Sequence, residues 1–162
     1  MNCVGNENNT EPTFEICNNC SPCKSINKGN FLDVIEVDAA SRTGVDGIRE
    51  IIDAVMYSPN NARFKVYIID EVHMLSNAAF NALLKTLEEP PENVKFIFAT
   101  TEIKKIPATI ISRCQRFDLQ RVDIDTLRTH LSKICESENI KFENDSLFQI
   151  CKASEGSVRD AL

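Results

Sequence analysis

At 162 residues the chain is long enough for one domain with a real core, or one domain and part of another. Its 43% apolar and 26% charged residues are ordinary globular values, and its net charge of −6 argues against a protein held to nucleic acid by overall charge. No apolar run approaches the length of a membrane span and no signal-type N-terminus is present, so the reading is soluble and cytoplasmic.

Residues 1–30 are poor in apolar side chains and cannot build a hydrophobic core of their own. They hold four of the seven cysteines, Cys3, Cys17, Cys20 and Cys23, in a C-x13-C-x2-C-x2-C pattern. In a cytosolic chain such a cluster favours metal over disulfides. Two-residue spacers let a tight loop aim successive thiolates at one ion, and four soft ligands suit a closed, structural zinc site. The thirteen-residue gap specifies Cys3 least. The competing reading is a set of free surface thiols.

"FLDVIEVD" (31–38) reads as a buried strand. "VDGIREIIDAVMY" follows as a helix with Val45, Ile48, Ile51, Ile52, Val55 and Met56 on one face. "FKVYIID" (64–70) is a second apolar strand. In "SNAAFNALLKTLEEPP", Phe80, Leu83, Leu84 and Leu87 make a helical stripe that Pro90-Pro91 ends. "VKFIFATT" (94–101) reads as a third strand, "PATIISR" as a short helix and "QRFDL" as a fourth strand. Strands separated by helices predict a parallel sheet covered on both faces. From Asp123 the period turns helical throughout, with Ser157 as the N-cap of a last helix and Asp160 three residues on. The expected organisation is residues 1–30 as a zinc-binding module, 31–121 as an α/β core and 122–162 as an all-helical domain.

Asp70 and Glu71 close the second strand. A carboxylate at the C-terminal edge of a parallel strand can hold magnesium, and its neighbour can polarise the water that attacks a γ-phosphate. A strand end whose acids merely face solvent is the other reading, and these residues alone leave both open. His73 completes D-E-x-H but is equally well a packing or capping residue. Thr100 and Thr101, ending the third strand, could orient the attacking water or be ordinary strand residues. Arg159 sits in the first turn of a helix, where the dipole disfavours a cation, which hints at an external anion. A phosphate-cradling G-x4-G-K-[ST] does not occur in the 162 residues; the glycines are Gly5, Gly29, Gly44, Gly47 and Gly156.

"VIEVDAASRTGVDGIREI", "VYIIDEVHMLSNAAFNALLKTLEEPPENVKFIFATTE" and "IPATIISRCQRFDL" resemble the gamma/tau clamp-loader family of bacterial DNA polymerase III, from about Cys17 to Leu162. The resemblance implies an AAA+ RecA-like α/β fold with a zinc insertion, followed by a helical lid, and a phosphate-binding loop upstream of this segment. It implies Walker B roles for Asp70 (magnesium) and Glu71 (attacking water), a sensor 1 role for Thr101 and an arginine-finger role in trans for Arg113 of Ser112-Arg113-Cys114. Arg159 would be the sensor 2 residue reaching ATP from the lid, and Cys3, Cys17, Cys20 and Cys23 the zinc ligands. The implied cofactors are Zn2+, with ATP and Mg2+ in the intact protein. The implied partners are the delta, delta-prime and further gamma/tau subunits, the sliding clamp and primer–template DNA, with no membrane. The intact family member is an ATPase within a DNA-directed DNA polymerase holoenzyme, whereas this segment alone is expected to be inactive. Alternatives are a delta-prime-like subunit, whose Walker B region is degenerate, and a non-catalytic zinc-stabilised interaction fragment. A superfamily 2 helicase would need an "SAT" tripeptide and a second RecA-like domain; "FATT", "SRC" and a helical domain stand here instead.

Overall fold

The computed structural model describes residues 1–5, 11–41 and 45–162. Its backbone divides into two compact units, Met1–Gln115 and Arg116–Leu162.

The first unit is built on three parallel strands, β1 (Val34–Asp38), β2 (Lys65–Asp70) and β3 (Val94–Phe98), in the order β1-β2-β3. Val37 lies opposite Ile69, and Ile69 opposite Phe98, so Ile35, Val37, Tyr67, Ile69, Phe96 and Phe98 share one face. Tyr67, Phe96 and Phe98 stack in sequence along that face, with centroids 5.5 and 6.0 Å apart. Against it pack α2 (Val45–Val55) through Ile48, Ile51 and Val55, α3 (Asn77–Glu88) through Ala79, Phe80 and Leu83, and α4 (Ala108–Ile111) through Ile110. Each fully buried Leu or Phe of this set contributes roughly 1.5–3 kcal/mol. The Ser76 hydroxyl accepts the Ala79 N–H and caps α3, which stops at the Pro90-Pro91 pair as its sequence requires. An earlier helix, α1 (Ser21–Asn27), begins at Cys20 with Pro22 in its first turn, where a missing N–H costs nothing.

Four details differ from the sequence reading. The other sheet face carries exposed Glu36, Asp38, Lys95 and Ile97 around buried Val66, and none of these residues joins the core that the helices pack against. That face alternates charge with hydrocarbon in "VIEVD", a period-2 pattern that a continuous apolar reading overlooks. α2 ends at Val55 and leaves Met56 77% exposed, so Met56 drops out of its packing face; the side chain of Val45 lies outside what the structure describes. Residues 31–33 precede β1 rather than join it, because the Asp33 carboxylate turns inward to accept the N–H groups of Asn60 and Asn61. "QRFDL" is not a strand: Phe117 is 75% and Leu119 96% exposed, and β3 has no neighbour on its far side among the described residues. An extended segment without a ladder partner leaves its backbone to water.

The second unit is helical: α5 (Ile124–Ser137), α6 (Asn144–Ala153) and α7 (Val158–Ala161). Leu127, Leu131, Leu147 and Cys151 form its core, with Cys135, Phe142, Val158 and Ala161 packed around them. The Asp123 carboxylate caps α5 by accepting the Thr126 N–H at 2.9 Å, and the Ser157 hydroxyl caps α7 by accepting the Asp160 N–H at 3.3 Å.

Candidate functional site

Two constellations carry chemistry in the first unit. At the N-terminus the Sγ atoms of Cys3, Cys17, Cys20 and Cys23 all lie within 4.8 Å of one another, and none is in a disulfide. Tetrahedral zinc with Zn–S bonds of about 2.3 Å places its sulfurs about 3.8 Å apart, so the four thiols fit that ion. The Cys20 N–H points at the Cys17 sulfur, 3.3 Å away, and the Cys23 N–H holds the Cys20 thiol down at about 6. N–H groups of Cys17 and Gly5 lower Cys3 in the same way, whereas burial drives Cys23 up to about 12. A divalent cation bound here would hold all four as thiolates.

Cys3 is a full member of the cluster despite its distance in sequence. Residues 6–10 of the long gap lie outside the described residues, but the near end is pinned. The Asn2 side chain donates to the Phe64 carbonyl at 2.8 Å and accepts the Phe64 N–H at 3.0 Å, as a neighbouring strand would. The Arg63 guanidinium donates to the Cys3 carbonyl. Spacing alone contains no trace of this staple, which joins residues about sixty positions apart.

The second constellation lies at the C-terminal edge of the sheet. Asp70 ends β2, and its Oδ1 accepts the Glu71 N–H at 2.9 Å. Glu71 then takes a left-handed conformation, φ 46° and ψ 42°, which costs a non-glycine residue roughly 1–2 kcal/mol. The chain returns to the sheet at once, the Val72 N–H donating to the Ala99 carbonyl at 3.0 Å. This kink turns the Glu71 carboxylate towards the tip of β3, where Oε2 accepts the Thr101 hydroxyl at 3.2 Å. Strain of this kind persists only where surrounding bonds hold it, and it is concentrated at functional sites.

His73, on the turn after Glu71, has its side chain 8% exposed. Its Nδ1 lies 2.9 Å from Thr100 Oγ1 and 3.2 Å from Glu71 Oε2, and its Nε2 lies 3.6 Å from Glu102 Oε1. Glu102 also accepts from Lys105 at 2.7 Å, which holds its carboxyl below the usual range. Asp38, directly opposite Asp70 in the register, escaped the sequence reading although it too ends an apolar run. Its Oδ1 accepts the Ala40 N–H at 2.8 Å, so it builds the turn after β1.

Arg113 does not join the acidic tip among the described contacts. Arg113, just past α4, donates to the Thr109 carbonyl at 2.7 Å and to Glu88 Oε1 at the end of α3 at 2.5 Å. Arg159 lies exposed in α7 of the second unit, where its own surroundings are the N-terminal turn capped by Ser157.

A family model described as "DNA polymerase III, delta subunit" matches residues 1–123, and one described as "DNA polymerase III clamp loader subunit, ATPase lid domain" matches residues 126–162. The DNA polymerase III subunit tau/gamma of Haemophilus influenzae is 56% identical over 146 residues, covering 90% of this chain and 21% of that protein. The subunit tau of Bacillus subtilis is 56% identical over 151 residues, covering 93% and 27%. The chain thus spans roughly a quarter of these relatives' length. A DNA polymerase III gamma subunit-related protein of Thermotoga maritima superposes with a TM-score of 0.55 at 26% identity, over 77% of this chain and 43% of that one. The Thermotoga maritima RuvB Holliday junction branch migration motor superposes with a TM-score of 0.65 over 79% of this chain and 42% of that one; at 18% identity it bears on the fold alone. The first family model carries the delta name, but the relatives at 56% identity are tau and gamma subunits. Parallel sheet, cysteine cluster and helical second unit agree with them, and the chain belongs to the tau/gamma clamp-loader family of bacterial DNA polymerase III, with an AAA+ RecA-like fold, a zinc-binding insertion and an ATPase lid.

Proposed function

We propose that this chain forms part of the ATP-driven motor of a cytoplasmic sliding-clamp loader and carries the hydrolytic half of its nucleotide site. In this reading Asp70 holds the waters of a magnesium ion, Glu71 polarises the attacking water and Thr101 orients Glu71. Bound magnesium–ATP would supply the phosphoanhydride bond whose cleavage drives the machine. Arg113 would serve as the finger reaching a neighbouring subunit's ATP, and Arg159 as the lid residue sensing the γ-phosphate. ATP binding would draw the subunits (delta, delta-prime and further gamma/tau copies) into a form that opens the clamp and grips primer–template DNA, and hydrolysis would release it. The division into a zinc module (1–30), a core (31–121) and a lid (122–162) belongs to the same reading.

The observation that carries it is the left-handed kink at Glu71, which sets a carboxylate beside the Thr101 hydroxyl at the mouth of a parallel sheet. Strands of this kind receive ligands beyond their carboxyl ends. The test is Glu71→Gln in a full-length subunit assembled with its partners: ATP turnover should fall by about a hundredfold or more, with ATP still bound. Unchanged turnover would overturn the assignment. A second reading, a zinc-braced interaction fragment without catalysis, is favoured by the lack of a G-x4-G-K-[ST] sequence within the 162 residues. It predicts that the chain alone turns over no ATP, since it lacks the backbone N–H groups and lysine that would hold the phosphates.

A further inference from the structure

We infer that His73 is a positioning residue: its Nδ1–H ties the Glu71 carboxylate to the Thr100 hydroxyl and so fixes the tip of β2 against the tip of β3. The inference rests on the reading of Glu71 as the group that polarises the attacking water.

Two oxygens face the same ring nitrogen, Thr100 Oγ1 at 2.9 Å and Glu71 Oε2 at 3.2 Å. A lone pair on Nδ1 of this ring, which is 8% exposed, would point at a carboxylate oxygen, a repulsive arrangement, whereas an N–H there serves both acceptors. Nδ1 therefore carries a proton. Thr100 Oγ1 meanwhile accepts the Glu102 N–H at 3.0 Å, so the hydroxyl is held from two sides and forms a fixed post on the β3 side. Glu71 Oε2 receives both the Thr101 hydroxyl and the His73 N–H. With Oε2 held twice, the other carboxylate oxygen is the one left to meet a water. The groups facing the ring are Glu71 on its own turn and Thr100 and Glu102 on the segment after β3, with Lys105 paired to Glu102.

The left-handed backbone at Glu71 gives the contact a purpose. A strained residue on a short turn holds one side-chain direction only if something outside the turn fixes it. Thr101, on the segment after β3, supplies such a bond, and His73, on the same turn as Glu71, links the same carboxylate oxygen to Thr100 outside it, from a ring 8% exposed.

The direct test reads the histidine tautomer in this chain by long-range proton–nitrogen NMR. Only two histidines are present, so exposed His130 is the internal reference. Above the ordinary histidine titration range, His73 is expected to show a protonated, pyrrole-type Nδ1 and His130 the Nε2–H form usual in water. Glu71→Gln should weaken the Nδ1–H preference of His73, and Glu102→Gln should leave it in place. A pyridine-type Nδ1 in the unaltered chain, or a tautomer indifferent to Glu71→Gln, would overturn the inference. Kinetics in a full-length subunit carrying these residues separate this idea from the one beneath it. His73→Ala should lower kcat for ATP about ten- to a hundredfold with KM little changed. His73→Asn, whose amide N–H stands where Nδ1–H stood, should restore most of the loss. If Glu71→Gln abolishes turnover and His73→Ala does not slow it, the positioning role fails alone; if Glu71→Gln has no effect, the role of Glu71 itself fails.

Discussion

Removing the Asp33 carboxylate is expected to destabilise the first unit by about 2–4 kcal/mol. Asp33 is 1% exposed and stands just before β1. Its two oxygens accept the backbone N–H of Asn60 at 2.8 Å and that of Asn61 at 2.9 Å, and the Asn60 side-chain amide adds a longer contact at 3.4 Å. Hydrogen bonds to a charged acceptor are worth about 1.5–3 kcal/mol each, so the two short ones total about 3–6 kcal/mol. Asp33→Ala forfeits both and strands two backbone donors, but it also ends the desolvation of a buried charge, which offsets part of the loss. In a unit of this size the net loss corresponds to a fall of about 10 °C in the unfolding midpoint. Asp33→Asn keeps one carbonyl acceptor while turning an N–H towards the other donor, and should fall between the two. Urea unfolding measures the free energy, with the slope expected to stay constant. Hydrogen exchange at the Asn60 and Asn61 amides reports the bonds themselves. A loss below about 0.5 kcal/mol with both amides still protected would show that the 60–61 turn is held by something other than this carboxylate.

The cysteine cluster should hold one zinc ion per chain by metal analysis; chelation should speed exchange in α1 and around Cys17 while the β2 amides stay protected, and a purified chain without zinc would refute the site. Gly156 has φ +79°, and a Cβ there would meet the Val122 carbonyl oxygen at 2.7 Å and Arg121 Cβ at 2.8 Å. Gly156→Ala should therefore cost the second unit about 2–4 kcal/mol in a thermal melt. Gly29→Ala, at φ +66° with nothing within 4 Å, should cost the first unit only the backbone share, about 1 kcal/mol. Asp123 is held below its ordinary value of 3.8, chiefly by the Thr126 hydroxyl and then by the Thr126 N–H. A depressed carboxyl stabilises the fold above its unfolded value, and that contribution disappears as pH falls through the lower folded value. Acid titration of α5 helicity should show this loss, and Asp123→Asn, still a competent cap, should remove the pH dependence without removing the helix.

What could be read from the chain divides along a physical line. "KVYIID" and the α3 stripe announced themselves because burial selects residue types at regular intervals, and β2 and α3 appear within a residue or two of their expected ends. The four cysteines were legible for a similar reason, since a metal fixes ligand chemistry and spacing together. The left-handed turn at Glu71 was not legible, because the residue taking the strain is an ordinary glutamate with no glycine to signal it. Asn2 gave no sign of its bond to Phe64, nor Arg113 of its bond to Glu88; such contacts depend on where the fold carries distant segments. Met56 and "QRFDL" erred in the opposite direction. Their apolar pattern was genuine, but no neighbouring element among the described residues receives it.

The outer side of β3 is the place where that matters most. Among the described residues its backbone ladder is satisfied towards β2 only, and Ile97 on the same strand stands exposed. Such an edge is a template: any extended peptide can complete it, from a proper companion strand to a stray copy of the same molecule. Lys95 supplies one repelling charge against the second outcome. Handling at high concentration should accordingly favour slow, concentration-dependent self-association that begins at this strand while the helical unit remains intact.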